Sequence, residues 1–214
     1  MKISFNKKRF AVMMCGIVGM GVFLSFLLEV NYGTDTCAFM NSSLSGHFGI
    51  SFGTVMICSN LIFFIPEIIW GRKYIGLGTI ANMTLIGYIS DFCRMLERKF
   101  LPDVLFEGTY YRPVVFIVAL IPFLISIALY MNANMGLAPY DSVPKIISER
   151  FHFPFSPVRI VWDFCAIMLG IAVGGHLNIG TVVLAFTIGP SAAFIGKRME
   201  RILSLAEPSG SSTT

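Results

Sequence analysis

Apolar residues run along this chain in long stretches separated by short polar breaks. A bilayer core of about 30 Å takes roughly 20 apolar residues per crossing helix, and six windows meet that length. They lie at Ala11 to Glu29, Ile50 to Trp70, Gly76 to Met95, Pro113 to Ala133, Pro157 to Gly174 and Asn178 to Gly196. The pattern predicts an all-α integral membrane protein with six transmembrane helices in one membrane domain. No room is left for a separate soluble domain, and "EPSGSSTT", residues 207–214, reads with Ala206 as a disordered tail.

Composition points the same way. Of 214 residues, 55% are hydrophobic and 13% charged, against about 45–50% and about 25% in soluble domains. The N-terminal "MKISFNKKRFAVMMCGIVGMGVFLSFLLEV" imitates a signal peptide. Its apolar run, however, exceeds the usual length of about 7–15 residues and lacks an A-x-A cleavage pattern, so it is read as a retained first span.

Lys and Arg favour the cytoplasmic side. With the N-terminus inside, twelve of the sixteen basic residues fall on inner segments and four, Arg94, Arg98, Lys99 and Arg112, on outer ones. Both termini are therefore expected in the cytoplasm, across a bacterial inner or plasma membrane. The net charge of +4 reflects this asymmetry and implies no nucleic-acid partner. The five cysteines form no C-x-x-C pair and no Cys/His cluster with zinc spacing. They are read as packing residues, and neither a metal nor another cofactor is expected.

The chain is also written twice. "NYG" at Asn31 to Gly33 matches "NMG" at Asn134 to Gly136, 103 residues on. At the same offset Arg9 matches Arg112, Phe48 matches Phe151, Phe52 matches Phe155, and Val55 matches Val158. At 102 residues, "GTIANMTLIG" from Gly78 matches "GTVVLAFTIG" from Gly180. The predicted units are residues 1–103 and 104–205, each of three spans. Three crossings is an odd number, so the second unit enters from the opposite face as an inverted 3+3 repeat, an organisation of secondary transporters with sites near the midplane. Gly78, Gly87, Gly180 and Gly189 let helix backbones approach closely, while Gly33 and Gly136 follow the asparagines in the polar breaks.

Each unit carries its polar break between its first and second spans. In the second, "NANMGLAPYDSVPKIISER", Asp141 or Ser142 is expected to cap a short helix that ends near Arg150 and whose early Pro144 needs no intrahelical donor. In the first, "NYGTDTCAFMNSSLSG", Thr34, Asp35 or Thr36 can cap its counterpart. Both helices are too short to span. Non-helical backbone at membrane depth must be buried in protein or line a watery cavity, so the segments are either re-entrant, with helix N-termini aimed inwards, or surface-lying connectors.

Ionisable residues inside a span are candidates for function. If the fifth span starts near Phe153, Asp163 falls roughly ten residues or about 15 Å into it at about 1.5 Å per residue, and its repeat partner is Asn60. Arg159, four residues earlier, shares its helical face. It forms either a structural pair with Asp163 or an anion site beside a proton-exchanging or cation-exchanging carboxylate. Glu67 lies on the Asn60 face opposite Gly170, but it is close enough to "WGRK" to snorkel or to pair with Arg72. The expected substrate-binding or coupling set is Asn31, Asp35, Asn60, Glu67, Asn134, Pro139, Asp141, Arg159 and Asp163.

"NYGTDTC" and "NMGLAPYDSV", with "IGLGTIANMTLIGYISD" and "LNIGTVVLAFTIGPSAAF", resemble the YczE/YyaS/YitT group of bacterial multi-pass membrane proteins. The likeness runs from about residue 10 to 200. Gly-x-x-Pro-x-Asp stands at Gly136, Pro139 and Asp141, where the first copy has Gly33, Thr36 and Ala38. YitT relatives often carry a soluble C-terminal domain that this chain lacks, which favours the YczE-like branch. The resemblance implies a membrane location and transport, without a named substrate.

The expected function is a small secondary transporter or exporter of a small solute or ion, embedded in the lipid bilayer, with homo-oligomerisation left open. The alternatives are a passive channel, a substrate-binding subunit of a larger transporter, and a membrane regulator or assembly factor. An enzyme is not expected. "YD" at Tyr140 with "GLGT" at Gly76 is similar to aspartyl intramembrane proteases, but Thr79 stands where the second aspartate belongs. "GPSA" at Gly189 is followed by no histidine.

Overall fold

The computed structural model describes residues 7–108 and 110–187. These form helices α1 (Lys7–Val30), α2 (Thr36–Phe48), α3 (Phe52–Trp70), α4 (Leu77–Phe100), α5 (Val104–Glu107), α6 (Tyr111–Asn132), α7 (Pro139–Phe151) and α8 (Phe155–Ala172). Residues 179–187 are also helical. Among the described residues there is no strand.

Four of these helices, α1, α3, α6 and α8, are long and apolar enough to cross a membrane. Their outward faces carry the hydrocarbon that a bilayer requires, such as Ile62, Ile65 and Ile69 on α3 and Val114, Ile117 and Ile121 on α6. The predicted third span, Gly76 to Met95, is helical within α4 but does not join that group, its sequence being interrupted by Asn82, Thr84, Ser90, Asp91 and Arg94. The predicted sixth span is described only to residue 187, so Gly189 and the tail at 206–214 lie outside the described residues.

The core is built where α1 lies against α6 and α4. Met13, Ile17, Leu24 and Leu27 of α1 meet Phe123, Ile127 and Tyr130 of α6 and Ile86 of α4. At Gly16 a Cβ would stand 2.7 Å from the Tyr130 nitrogen and 2.8 Å from the Ser126 carbonyl oxygen, so the small residue sets the α1–α6 spacing. Gly87 does the same for α4 on α3, where its Cβ would lie 2.6 Å from the Cα of Gly53.

The two polar breaks fold alike. Asn31 and Asn134 both adopt φ 51°, a left-handed conformation that asparagine tolerates better than most residues. Gly33 and Gly136 follow at φ 139° and 116°. Next come α2 and α7, 13 residues each. Both end on a left-handed residue, Gly49 at φ 65° and His152 at φ 56°.

Crosswise hydrogen bonds then tie each break to the far part of the chain. Gly78 donates its N–H to the carbonyl of Met135 at 2.7 Å, and Gly180 donates to that of Tyr32 at 3.1 Å. Accordingly α2 packs on α8 and α7 packs on α3. Both short helices begin inside the protein, at Thr36, Ala38, Phe39 and Met40 and at Pro139, Tyr140, Ser142 and Val143, and end on exposed residues. The first turns of both helices are therefore packed within the protein.

The caps differ from one copy to the other. Asp35 caps α2, accepting from the Ala38 N–H at 3.0 Å. In α7 neither Asp141 nor Ser142 is the cap. Ala138 holds that position without a side-chain bond and Pro139 opens the helix. Proline at the first position has no N–H to satisfy, which frees Asp141, one turn in, to reach another partner.

Candidate functional site

The N-terminal ends of α2 and α7 face a cavity of about 450 Å³ that also touches α1, α3, α4, α6 and α8. Its apolar lining includes Met20, Leu24, Met56, Ile86, Phe123 and Ile127. Its polar and charged lining includes Asp35, Asn60, Asn82, Tyr130, Tyr140, Asp141, Arg159 and Asp163.

Arg159 organises the charged side. Its Nε donates to Asp163 Oδ2 at 2.8 Å and its Nη1 to Asp141 Oδ1 at 2.6 Å. The guanidinium also lies over the Tyr140 ring, 5.3 Å from the centroid. Asp163 is nearly buried, and its Oδ1 accepts from the Thr36 hydroxyl at 2.7 Å and from the Tyr140 hydroxyl at 2.8 Å. One carboxylate thus gathers groups from α2, α7 and its own helix α8. Tyr140 is fixed in turn between Phe63 and Trp162, ring centroids 5.7 and 5.6 Å away.

The electrostatics outside the spanning helices follow from enclosure. Burial pushes the Asp35 carboxyl up to about 6 from 3.8; the Ala38 N–H pulls the other way, and Asp141 adds to the rise. Burial likewise holds the thiol of the neighbouring Cys37 well above its ordinary range, with Asp35 adding to it. The Tyr140 phenol is raised chiefly by burial, so it donates as a neutral hydroxyl.

Among the described residues, two polar groups in the wall have no protein partner. Asn60 and Tyr130 are each 2% exposed, and Asn60 Nδ2 and Tyr130 Oη make no hydrogen bond. A buried polar atom without a partner is costly.

Of the nine residues expected from sequence, the cavity brings together Asp35, Asn60, Asp141, Arg159 and Asp163. Asn31 lines a second cavity of about 290 Å³ with Gly33 and Thr34. Asn134 is exposed at its turn and Pro139 is buried at the start of α7, and neither lines the main cavity. Glu67 is fully buried away from it, and neither of its oxygens has a partner. Its expected escape routes are closed. The side chain does not reach the interface, and Arg72 turns its Nε back to the Ile68 carbonyl at 2.9 Å. Thr36 and Tyr130 join the site without a sequence signal: one is a cap candidate like its neighbours, the other a tyrosine in an apolar run. Tyr140 is foreshadowed only by adjacency to Asp141.

Among the described residues no three His, Cys, Asp or Glu side chains are grouped to hold a metal ion. The arrangement is a chamber lined by apolar residues and by three carboxylates with one guanidinium, bounded by two short helices from separate parts of the chain.

Comparison with known proteins adds the lineage. The chain is 25% identical over 179 residues to an uncharacterized protein of Haemophilus influenzae, covering 83% of this chain and 78% of the relative. It is 26% identical over 148 residues to the uncharacterized membrane protein YczE of Bacillus subtilis, covering 69% of this chain and 66% of that protein. No solved structure matches. The family described as "Family of unknown function (DUF6198)" matches residues 7–197, so the chain belongs to that family and is a YczE-like membrane protein.

Proposed function

We propose that this protein is a small secondary transporter or exporter that carries a small solute by alternating access. Its two units, residues 1–103 and 104–205, act as inverted three-helix repeats, and the solute sits in the cavity between them. The observation that carries this reading is the makeup of the Asp163 site. Thr36 from the first unit and Tyr140, Arg159 and Asp163 from the second meet on one carboxylate. Any rocking of one unit against the other makes or breaks the Thr36–Asp163 bond, so the state of the site and the state of the gate are linked. The matched turns at Asn31 and Asn134 and the paired bonds of Gly78 and Gly180 support the duplication. Broken helices at a midplane site are a recurrent device of such transporters.

In this reading both termini lie in the cytoplasm of a bacterial cell, α7 forms the cytoplasmic gate and α2 the opposite one. No enzymatic step and no cofactor is involved. The test is solute flux into proteoliposomes containing the purified chain alone. Transport is expected, and Asp163→Asn or Asn60→Leu should reduce it at least tenfold. Tight solute binding with no flux would instead indicate a binding subunit that needs an energising partner. Flux unchanged in both variants would remove the site assignment.

A further inference from the structure

We propose that the solute of this cavity is a monovalent organic cation with an apolar body and a hydrogen-bonding oxygen. This rests on the cavity being the transport site. Three carboxylates, Asp35, Asp141 and Asp163, line the chamber against a single guanidinium, Arg159. With all four ionised the wall carries a charge of −2. Arg159 already has its single charge shared by Asp141 and Asp163, so an anion approaching its remaining N–H groups would meet a wall of opposing net charge. Asp35 Oδ1 accepts from Ala38. Its second oxygen and Asp141 Oδ2 have no partner among the described residues.

Uncompensated negative charge in a confined, partly desolvated space is relieved by a cation entering it. A compact inorganic ion does not suit the site, because the carboxylates do not group to coordinate one and much of the wall is hydrocarbon. The volume of about 450 Å³ falls within the range of small-molecule pockets. Aromatic walls at Phe123, Tyr130, Tyr140 and Phe155 suit an alkylammonium group. An independent observation supplies a second anchor for the ligand. Asn60 Nδ2 and Tyr130 Oη, buried and unpartnered in the same wall, take a carbonyl or hydroxyl oxygen borne by the body of the cation.

Three molecules of nearly one shape separate charge from shape. They are benzoylcholine, its neutral carbon isostere 3,3-dimethylbutyl benzoate, and the anion 2-(benzoyloxy)ethanesulfonate. Titrated calorimetrically into the full-length chain in detergent, benzoylcholine is expected to bind at least tenfold more tightly than either of the others. Asp35→Asn with Asp141→Asn is expected to abolish that preference while leaving the weak binding of the neutral ester unchanged. Asparagine at position 35 still caps α2. If the double variant loses its cooperative melt, the single Asp35→Asn is read, and a threefold or greater loss is expected.

Equal binding of cation and isostere, preference for the sulfonate, no binding of any of the three, or cation binding unaltered by the asparagine variants overturns the inference. Binding of the cation without flux in proteoliposomes would defeat the transport reading and leave this inference standing. Flux of an anionic or neutral solute with no cation binding would do the reverse.

Discussion

Arg159 on α8 and Asp141 on α7 are joined by a 2.6 Å ion pair, and the same guanidinium holds Asp163 at 2.8 Å. One cation thus fastens a short helix to a spanning helix and neutralises a nearly buried carboxylate. Removing it leaves two carboxylates facing each other without a counter-charge. Breaking a fully buried pair from one side costs roughly 3–5 kcal/mol. Arg159 and Asp141 keep 26% and 33% of their side chains exposed, which screens this to roughly 2–3 kcal/mol, so Arg159→Met should lower the apparent melting temperature by about 4–12 °C. Arg159→Lys should recover only part of this, because an ammonium is not a planar fork that meets two carboxylates at once. A thermal melt of Arg159→Met that overlays the wild type would show that the pair carries no structural weight.

The crossed hydrogen bonds from Gly78 to Met135 and from Gly180 to Tyr32 leave no space for side chains nearby. A Cβ on Gly180 would stand 2.5 Å from the Tyr32 carbonyl oxygen, and one on Gly76 would collide with the Met135 carbonyl oxygen. Both obstacles are backbone and cannot move aside, so Gly76→Ala and Gly180→Ala should each abolish a monodisperse peak in size-exclusion chromatography. Gly46 supplies the contrast, since it lies within α2 with nothing within 4 Å of its Cβ position. Gly46→Ala should stabilise by roughly 1 kcal/mol through helix propensity alone. Normal yield from Gly180→Ala would mean that the approach of the two breaks is not structurally required.

The helices and the asymmetry between them were legible because hydrophobic length is a local signal. α1, α3, α6 and α8 begin and end within a few residues of the windows read from sequence. The short helices were legible through their punctuation, Asn-x-Gly followed by a cap residue or a proline. Burial of their first turns was not, because it depends on crosswise contacts such as Gly78 to Met135 and Gly180 to Tyr32, between residues far apart in the chain. The same limit governs the site. Arg159 and Asp163 are four residues apart and can be paired on one helix face from sequence, whereas the Thr36–Asp163 bond joins residues 127 apart and leaves no local trace. Asp141 read as a cap because Asp near a helix start usually is one; Pro139 took the first position and released it.

Glu67 occupies an unusual position, fully buried on α3 with both oxygens unpartnered. The nearby Ser142 hydroxyl donates instead to the Pro139 carbonyl at 3.0 Å. At most one contact with Ser142, whose hydroxyl is already given to Pro139, is lost when this side chain is replaced by an apolar one of similar volume, and a desolvation cost of roughly 1–3 kcal/mol is removed. Glu67→Met should therefore raise the melting temperature at neutral pH. A drop of several degrees would reveal a partner for this carboxyl that the folded chain in membrane acquires.

Asp35 gives the cavity a pH dependence. Its folded pKa of about 6 exceeds the ordinary 3.8 because burial disfavours the charged form. The folded state therefore holds this proton more tightly than the unfolded chain. The stabilisation is fully present below pH 3.8 and is lost as pH rises through about 6, amounting to roughly 1–3 kcal/mol. Asp141 and Asp163 face Asp35 and reinforce the shift, and Arg159 opposes it. Melting curves of wild type and Asp35→Asn between pH 4 and 8 should differ in slope within this window, the variant being flatter. Parallel curves would show that Asp35 stays ionised throughout. An organic cation should also bind more tightly as pH rises past 6, when the proton no longer competes with it.

Cys37 lines the same cavity, on α2 two residues from Asp35, and it serves as a built-in reporter of the field there. In a variant with Cys15, Cys58, Cys93 and Cys165 replaced by Ala, this thiol is the one cysteine left to react. Methanethiosulfonate reagents of similar size but opposite charge sample the cavity before they attack. Its thiol is held well above the usual range by burial, which slows both reagents alike and cancels in their ratio. A net charge of −2 in the wall concentrates the trimethylammonium reagent and repels the sulfonate. The cationic reagent should therefore outpace the anionic one by at least tenfold beyond their ratio on free cysteine, and added benzoylcholine should slow it. Neutralising Asp35 and Asp141 together should bring the ratio back to that of free cysteine. A ratio already at that value in the unaltered cavity would mean that its excess carboxylates are protonated or screened, and that charge does not select what enters.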